Sequence, residues 1–118
     1  MKKLFITLIT TSLLFSCNSK PQEINLSELK DPCDFTKAQL VVYKAIKNRI
    51  GDKTYKTMNN EDKEYVNKQL SKESEIIEAY RDAGFRNGDA RKCPEDKIIR
   101  EMQQELNETY HKHHNPFE

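Results

Sequence analysis

The sequence predicts an all-α protein: a small three-helix bundle running up, down and up, with one disulfide and a flexible amino-terminal tether. Three segments indicate the helical class, because their apolar residues recur at steps of three and four. Short polar breaks separate these segments and favour antiparallel neighbouring helices. One third of the residues are charged and tryptophan is absent, so little apolar material is left for a core. We expect about a hundred residues to form one domain that needs a covalent staple.

The chain begins with a pattern typical of export. Lys2 and Lys3 precede an apolar run over residues 4–15, and a small residue and a cysteine follow it. The run is too short to cross a bilayer, which takes about 20 apolar residues in a helix. We therefore expect residues 1–16 to be a cleaved signal peptide.

The end of this segment carries a recognisable motif. Leu14, Phe15, Ser16 and Cys17 resemble the lipobox of bacterial lipoproteins. The resemblance implies that Cys17 is lipidated, becomes the first mature residue and anchors the protein to a membrane. Asn18 in the next position is compatible with sorting to the outer membrane of a Gram-negative bacterium. The alternative is an ordinary secreted protein in which the cysteine is incidental.

The charge balance does not favour a nucleic-acid partner. Loss of Lys2 and Lys3 leaves 20 − 2 = 18 basic side chains against 19 acidic ones, a net charge near −1. Nucleic acids select a basic face, which this composition does not indicate. No segment carries a catalytic, nucleotide-binding or metal motif that stands alone, so we also predict no cofactor.

Cys33 and Cys93 are the cysteines that remain once Cys17 carries lipid. Exported proteins occupy compartments in which such pairs are oxidised, and we predict a disulfide between them. Closing a loop of about sixty residues stabilises a fold by roughly 4 kcal/mol in the chain-entropy model. A metal pair and a reactive thiol are the competing interpretations.

Residues 17–34 are predicted to be the lipidated cysteine and a polar tether that spans about 20 Å, ahead of a helical domain over residues 35–118. Ile24, Leu26 and Leu29 show only a weak apolar rhythm in this stretch. The alternative is that these three residues lie across the helical domain as an extended strap.

The first helix is predicted to begin with a capping box formed by Thr36 and Gln39, enclosed by a hydrophobic staple of Phe35 and Leu40. Gly51 is a suitable stop. The expected buried side consists of Leu40, Val42, Tyr43, Ile46 and Ile50.

The second helix is predicted to begin after residue 59 or 60, because asparagine side chains there can cap exposed amides. Gly84 is expected to end it in the left-handed conformation, with Phe85 touching Tyr80. The Asn-Gly pair at 87–88 predicts a turn. The expected buried stripe is Val66, Leu70, Ile77 and Tyr80, with Ile76 beside it.

The third helix is predicted to begin with Pro94 in its first position and to run to about Lys112. In an up-down-up bundle the first and third helices begin at the same end. Cys33 and Cys93, each expected just before a helix, are then well placed to pair. The expected apolar stripe is Ile98, Ile99, Met102, Leu106 and Tyr110.

His111, His113 and His114 are the only concentration of possible metal ligands or acid–base groups in the sequence. Two of them can share a helical face with Glu108, so a surface site for Zn²⁺, Cu²⁺ or Ni²⁺ is chemically reasonable. The competing interpretation is that cationic groups lie at a helix end because its free carbonyls favour them.

Other chemical groups are expected to be solvated rather than catalytic. Glu101, Glu105 and Glu108 lie beside the apolar stripe of the third helix, and Glu73 belongs to a charged surface of the second. The serines at positions 71 and 74 have no nearby histidine to activate them, which argues against serine catalysis.

The sequence best fits a membrane-anchored envelope lipoprotein that is not an enzyme and acts as a protein-binding module. An inhibitor or immunity-type protein against a periplasmic toxin is an alternative, because tethering raises local concentration. Weak transition-metal binding through the histidines is another. Tyr43, Tyr55 and Tyr65 are expected at the rim of the core rather than as exposed interface anchors.

Overall fold

The computed structural model describes residues 20–111, with side chains through residue 109. Within that range the chain is mostly helical and contains no strand. Two 3₁₀ turns, Pro21–Glu23 and Leu26–Glu28, come first. Four α-helices and a closing π-turn follow them. They are α1 (Pro32–Ile50), α2 (Asn60–Asp82), the single-turn α3 (Asn87–Ala90), α4 (Pro94–Leu106) and the π-turn (Asn107–His111).

α1 begins earlier than predicted. The side chain of Asp31 accepts from the backbone N–H of Asp34 at 2.9 Å, and Asp34 accepts in return from the N–H of Asp31 at 3.2 Å. Pro32 occupies the first position, where its missing N–H costs nothing. The predicted capping box at Thr36 and Gln39 is therefore wrong. Thr36 is buried inside the helix and donates its hydroxyl to a backbone carbonyl one turn earlier.

The segment before α1 packs on the domain instead of acting as a tether over its described part. Pro21 and Leu29 are buried, and Ile24 and Leu26 pack against the core. The first 3₁₀ turn contacts both α1 and α2. The alternative prediction of a strap therefore holds for these residues, although the strap is built from 3₁₀ turns and not from extended chain.

α1 is the central element of the domain, since it packs against both α2 and α4. Its buried side chains come from almost every turn and match the predicted side, except that Leu40 is only partly buried. The helix ends at Gly51, which has φ 55° and so adopts the backbone conformation that glycine tolerates best. The buried apolar side chains of α1 are Phe35, Ala38, Val42, Tyr43, Ile46 and Ile50.

α2 begins where it was predicted to begin, because the side chain of Asn59 accepts from the N–H of Asp62 at 2.8 Å. Its buried stripe differs from the prediction. Asp62, Val66, Gln69 and Ile76 are buried, whereas Leu70, Ile77 and Tyr80 are only partly buried. Two of the four buried residues are polar. The prediction used the spacing of apolar residues alone, so it placed the buried stripe on a slightly rotated face of the helix.

The end of α2 follows the predicted Schellman closure. Gly84 has φ 88°, its N–H donates to the carbonyl of Arg81 at 2.9 Å, and the N–H of Phe85 donates to the carbonyl of Tyr80 at 3.4 Å. The rings of Tyr80 and Phe85 also contact each other, with centroids 5.4 Å apart. The predicted Asn-Gly turn is instead the one-turn helix α3, which is closed by a hydrogen bond from the N–H of Arg86 to Asp89.

α4 has Cys93 as its N-cap and Pro94 in its first position, as predicted. It is shorter than predicted, because regular α-helix ends at Leu106 and a π-turn continues to His111. Its buried apolar residues are Ile99 and Leu106, whereas Ile98 is 45% exposed and does not belong to the core. No helix of the described residues is long and apolar enough to cross a membrane.

The sulfur atoms of Cys33 and Cys93 lie at bonding distance, 2.10 Å apart, and form the predicted disulfide. The bond joins the first turn of α1 to the N-cap of α4. Cys33 thus lies inside α1, whereas the prediction placed it just before the helix.

Removing this disulfide should strongly destabilise the protein. The bond closes a loop with a sequence separation of 60, for which chain entropy predicts a loss of about 4 kcal/mol. Urea unfolding of Cys33→Ser/Cys93→Ser should therefore show a much lower midpoint than the wild type. Reductant should shift the wild-type midpoint towards the double variant and leave the variant unchanged. Equal midpoints would contradict a stabilising bond.

Asp62 provides a second test of the fold. Its carboxylate is buried and lies 2.9 Å from Lys53 Nζ and 3.0 Å from Arg49 Nε. These hydrogen bonds, first from Lys53 and then from Arg49, hold the pKa of Asp62 below the value of 3.8 usual for aspartate. A lowered acid pKa adds stability that is present above pH 3.8 and lost as pH falls below it.

Asp62→Asn should therefore lower the thermal midpoint at neutral pH, because two cations lose their partner. The difference from the wild type should shrink as pH falls below about 3.8, since the wild-type carboxylate is then also losing its charge. Glu61→Gln, at an exposed acid in the same first turn, is the matched control. A deficit for Asp62→Asn that is constant across pH would mean that charge pairing is not its cause.

Candidate functional site

A groove runs between α2 and α4, with α1 as its floor. It contains two clefts that share Gln103 of α4 as a lining residue. We call the cleft near α3 the arginine end and the cleft near the π-turn the tyrosine end. The groove exists because α2 and α4 each pack against α1.

The arginine end has a volume of about 350 Å³. Buried side chains of all three long helices lie under it: Phe35, Ile76 and Ile99. Ile77 and Tyr80 of α2 are half-buried and present apolar surface to the cleft. The arginine end therefore has an apolar base that a ligand can reach.

Three exposed arginines line the same cleft: Arg81, Arg91 and Arg100. The Nε of Arg100 lies 3.0 Å from a carboxylate oxygen of Asp96, at ion-pair distance although not aligned as a hydrogen bond. Arg81 and Arg91 form no ion pair with any side chain among residues 20–109. The rim of the arginine end thus carries unneutralised positive charge above an apolar base.

Tyr80 forms part of the wall of this cleft and is held in place on two sides. Its ring packs against Phe35, with centroids 5.5 Å apart, and its hydroxyl donates to the carbonyl of Arg86. Burial, followed by the charge of Asp89, raises the pKa of Tyr80, so the phenol stays protonated and continues to donate.

The tyrosine end is polar and has a volume of about 440 Å³. Here Tyr43 of α1 donates its hydroxyl to the carboxylate of Glu73, and it accepts from the amide of Gln103 at 3.1 Å. The three long helices each contribute one of these residues, so their relative positions determine the cluster. Glu73 is half-buried, so the prediction that it lies on a solvated surface is wrong.

Glu73 is an ionisable group in a partly dry environment. Burial raises its pKa above the value of 4.5 usual for glutamate, and this effect outweighs the lowering by the Gln103 amide. The carboxylate is also already engaged by the hydroxyl of Tyr43. The cluster therefore links the three long helices through polar contacts.

The predicted sites fall partly outside the described residues. Cys17, His113 and His114 lie beyond them, and of His111 only the backbone is described. Glu108 is exposed and accepts from the Gln104 amide at 3.4 Å. Across the described side chains, no group of three or more His, Cys, Asp or Glu residues is arranged to hold a metal ion. The metal prediction therefore remains a prediction.

The predicted tyrosines differ in their surroundings. Tyr43 is fully buried and participates in the cluster just described. Tyr55 is partly buried, with Lys63 Nζ 4.1 Å from its ring centroid, and Tyr65 has the guanidinium of Arg49 at 5.1 Å. Tyr43 thus belongs to the core and Tyr55 packs against it, as expected, whereas Tyr65 is half-buried beside Arg49.

Sequence reasoning missed the groove because its residues are not close in sequence. Arg81 and Arg91 belong to separate elements, and Glu73 and Gln103 appear as ordinary polar residues on charged helices. One signal was available in the sequence. Residues at helical steps of three and four from Val66 include two polar ones before Ile76, which indicates that polar side chains share the inward face of α2: Gln69 and Glu73.

Comparisons with known proteins returned no matching family model, no similar curated protein and no similar solved structure.

Glu73→Gln tests whether the tyrosine end holds a partly desolvated carboxylate. A raised acid pKa means that the folded protein binds the proton more tightly than the unfolded chain. Its stability therefore falls as pH rises from 4.5 through the raised pKa. Glutamine has nearly the same size and shape as glutamate, but its side chain does not titrate. We expect the thermal midpoint of the wild type to rise relative to that of Glu73→Gln as pH is lowered from 7 to about 4.5.

Glu78→Gln is the matched control, because Glu78 is an exposed glutamate on the same helix. Its midpoint should follow the wild type across this pH range. Parallel curves for the wild type and Glu73→Gln would contradict the proposed desolvation of Glu73.

Proposed function

We propose that this protein is an envelope lipoprotein, held in the outer membrane of a Gram-negative bacterium by acyl chains on Cys17 after removal of residues 1–16. The support is the order of basic residues, short apolar run and lipobox-like motif at the start of the chain. Two or more acyl chains anchor a protein far more firmly than one, at about 0.8 kcal/mol per buried CH₂. The helical domain would therefore work close to the membrane surface.

We further propose that the domain is a non-enzymatic protein-binding module that uses the α2–α4 groove. The observation that carries this proposal is the combination of an accessible apolar base with an incompletely neutralised cationic rim at the arginine end. Apolar pockets bordered by polar groups are the usual form of a binding site.

The state of the acidic groups in the groove favours binding over catalysis. Glu73 accepts from the Tyr43 hydroxyl, and Asp96 lies beside Arg100. A general base needs a free lone pair directed at its substrate. Each of these two carboxylates already has one neighbouring donor or cation, Tyr43 for Glu73 and Arg100 for Asp96, which supports a holding role for the groove.

The up-down-up arrangement of the long helices belongs to the same proposal. The disulfide between the first turn of α1 and the N-cap of α4 brings the starts of these two helices together. If α2 runs antiparallel to both of them, the α1–α2 connection lies at one end of the bundle and the α2–α4 connection at the other. The groove between α2 and α4 would then run along the length of the bundle.

Crosslinking in living cells, followed by affinity capture of the tagged full-length protein, tests the proposal. We expect one envelope protein to be captured in near-stoichiometric yield. A lipoprotein with an unrelated domain identifies neighbours that merely share the membrane. Cys17→Ser is the second control: it should lose acylation and leave the membrane fraction, while the disulfide cysteines remain intact.

Two results would contradict the proposal. Membrane retention of Cys17→Ser to the same extent as the wild type would refute lipid anchoring through that residue. Capture of the same proteins by the tagged protein and by the unrelated lipoprotein would refute a specific partner. If the captured partner is a toxin, the binding module has the inhibitor or immunity role.

A further inference from the structure

The arginine end combines two features that together restrict the chemistry of its ligand. Arg81 of α2 and Arg91, the C-cap of α3, line it, both are exposed, and neither is paired with an acid among the described side chains. Asp96, the one acidic residue that lines this cleft, already has Arg100 at 3.0 Å. The cleft therefore has an excess of positive charge that an anionic ligand would neutralise.

Guanidinium groups bind oxyanions through two donors at once. Each can donate two parallel N–H bonds to a carboxylate, and such charge-assisted pairs are shorter and stronger than neutral hydrogen bonds. Because Arg81 and Arg91 are solvated in the free protein, they need little reorganisation to meet an incoming acid. A carboxylate, which is the oxyanion that an unmodified protein partner carries, thus complements the rim.

The base of the cleft selects a second group beside that anion. Ile77 and Tyr80 are half-buried, and the aromatic contacts of Tyr80 with Phe35 and Phe85 hold this surface in place. An apolar side chain of a ligand placed here would be shielded from water together with the exposed surface of Ile77 and Tyr80. At about 25 cal/mol per Å² of apolar surface, that burial adds to the attraction between the charges.

The size of the cleft limits how much of a ligand can enter. Its volume of about 350 Å³ is at the low end of the range of roughly 300–1,000 Å³ for ligand pockets. This is space for one or two side chains and not for a folded domain. A short segment of a partner protein fits these dimensions.

Resting on the proposed binding function, we infer that the arginine end binds an acidic segment of a partner protein. A carboxylate of that segment engages Arg81 and Arg91, and a neighbouring apolar side chain lies against Ile77 and Tyr80.

Selection from a random peptide library displayed on phage, with the purified full-length protein as target, tests this inference. We expect enriched sequences to carry Asp or Glu next to Leu, Ile, Phe or Met. One enriched peptide is then labelled and titrated by fluorescence anisotropy. Replacing its acids with the corresponding amides should weaken binding by about tenfold or more, and high salt should also weaken it.

Arg81→Gln/Arg91→Gln should lower the affinity for the labelled peptide by about tenfold or more, because the charge-assisted bonds are lost. Lys37→Gln/Lys44→Gln is the matched control. It removes the same charge from two exposed residues of α1 that do not line the cleft, and it should bind like the wild type. Circular dichroism and the thermal midpoint establish that both double variants fold.

Several results would overturn the inference. These are enrichment of uncharged or basic peptides, no enrichment at all, or equal peptide affinity for Arg81→Gln/Arg91→Gln and the wild type. Loss of binding to vesicles of anionic phospholipid in the arginine variant, without any peptide selected, would assign the cleft to a membrane surface. Concentration-dependent dimerisation that the same variant abolishes would assign it to a second copy of this chain.

The two proposals can fail separately. If cellular crosslinking captures one partner with both the wild type and Arg81→Gln/Arg91→Gln, the protein is a binding module whose partner uses another surface. If neither captures a specific partner, the proposed function itself is wrong.

Discussion

The architecture of this domain follows first from the disulfide between Cys33 and Cys93. It connects the first turn of α1 to the N-cap of α4, and so ties together two helices separated by 60 positions. A domain with few large apolar side chains gains little from burial alone, and a covalent link reduces the freedom of its unfolded chain. With these two ends joined, α4 is held beside α1 and one side of the groove is in place.

α2 is held on the other side of α1 by a mixture of apolar and polar contacts. Val66 and Ile76 are completely buried, and between and before them Asp62, Gln69 and Glu73 each meet a specific partner. A buried polar group that lacks its partner is costly, so these pairs favour one position of α2 over its neighbours. The same contacts put Ile77, Tyr80 and Arg81 along the groove instead of within the core.

The groove that results has two chemically different ends. At the tyrosine end, side chains of three helices satisfy one another, which makes that cluster a means of orientation. At the arginine end, two guanidinium groups remain without an acidic partner among the described residues, above an apolar base. Unneutralised charge beside accessible apolar surface is characteristic of a binding site, because a ligand can satisfy both at once.

Local signals in the chain were enough to predict the helical class, the stops at Gly51 and Gly84, the helix starts at Asn59 and Pro94, and the disulfide. Each of these depends on local backbone chemistry or on the count of cysteines, which a single chain displays directly. The cap of α1 was also visible in Asp31 and Pro32, but the competing capping-box pattern that begins at Thr36 concealed it.

The burial of polar residues and the location of the groove depend on how the helices pack. Glu73 and Gln103 look like surface residues until Tyr43, from a third helix, is brought between them. Arg81 and Arg91 share a cleft because α2 ends and α3 turns the chain back over it. These properties arise from contacts between distant residues, and helical periodicity reports only the local face of one helix at a time.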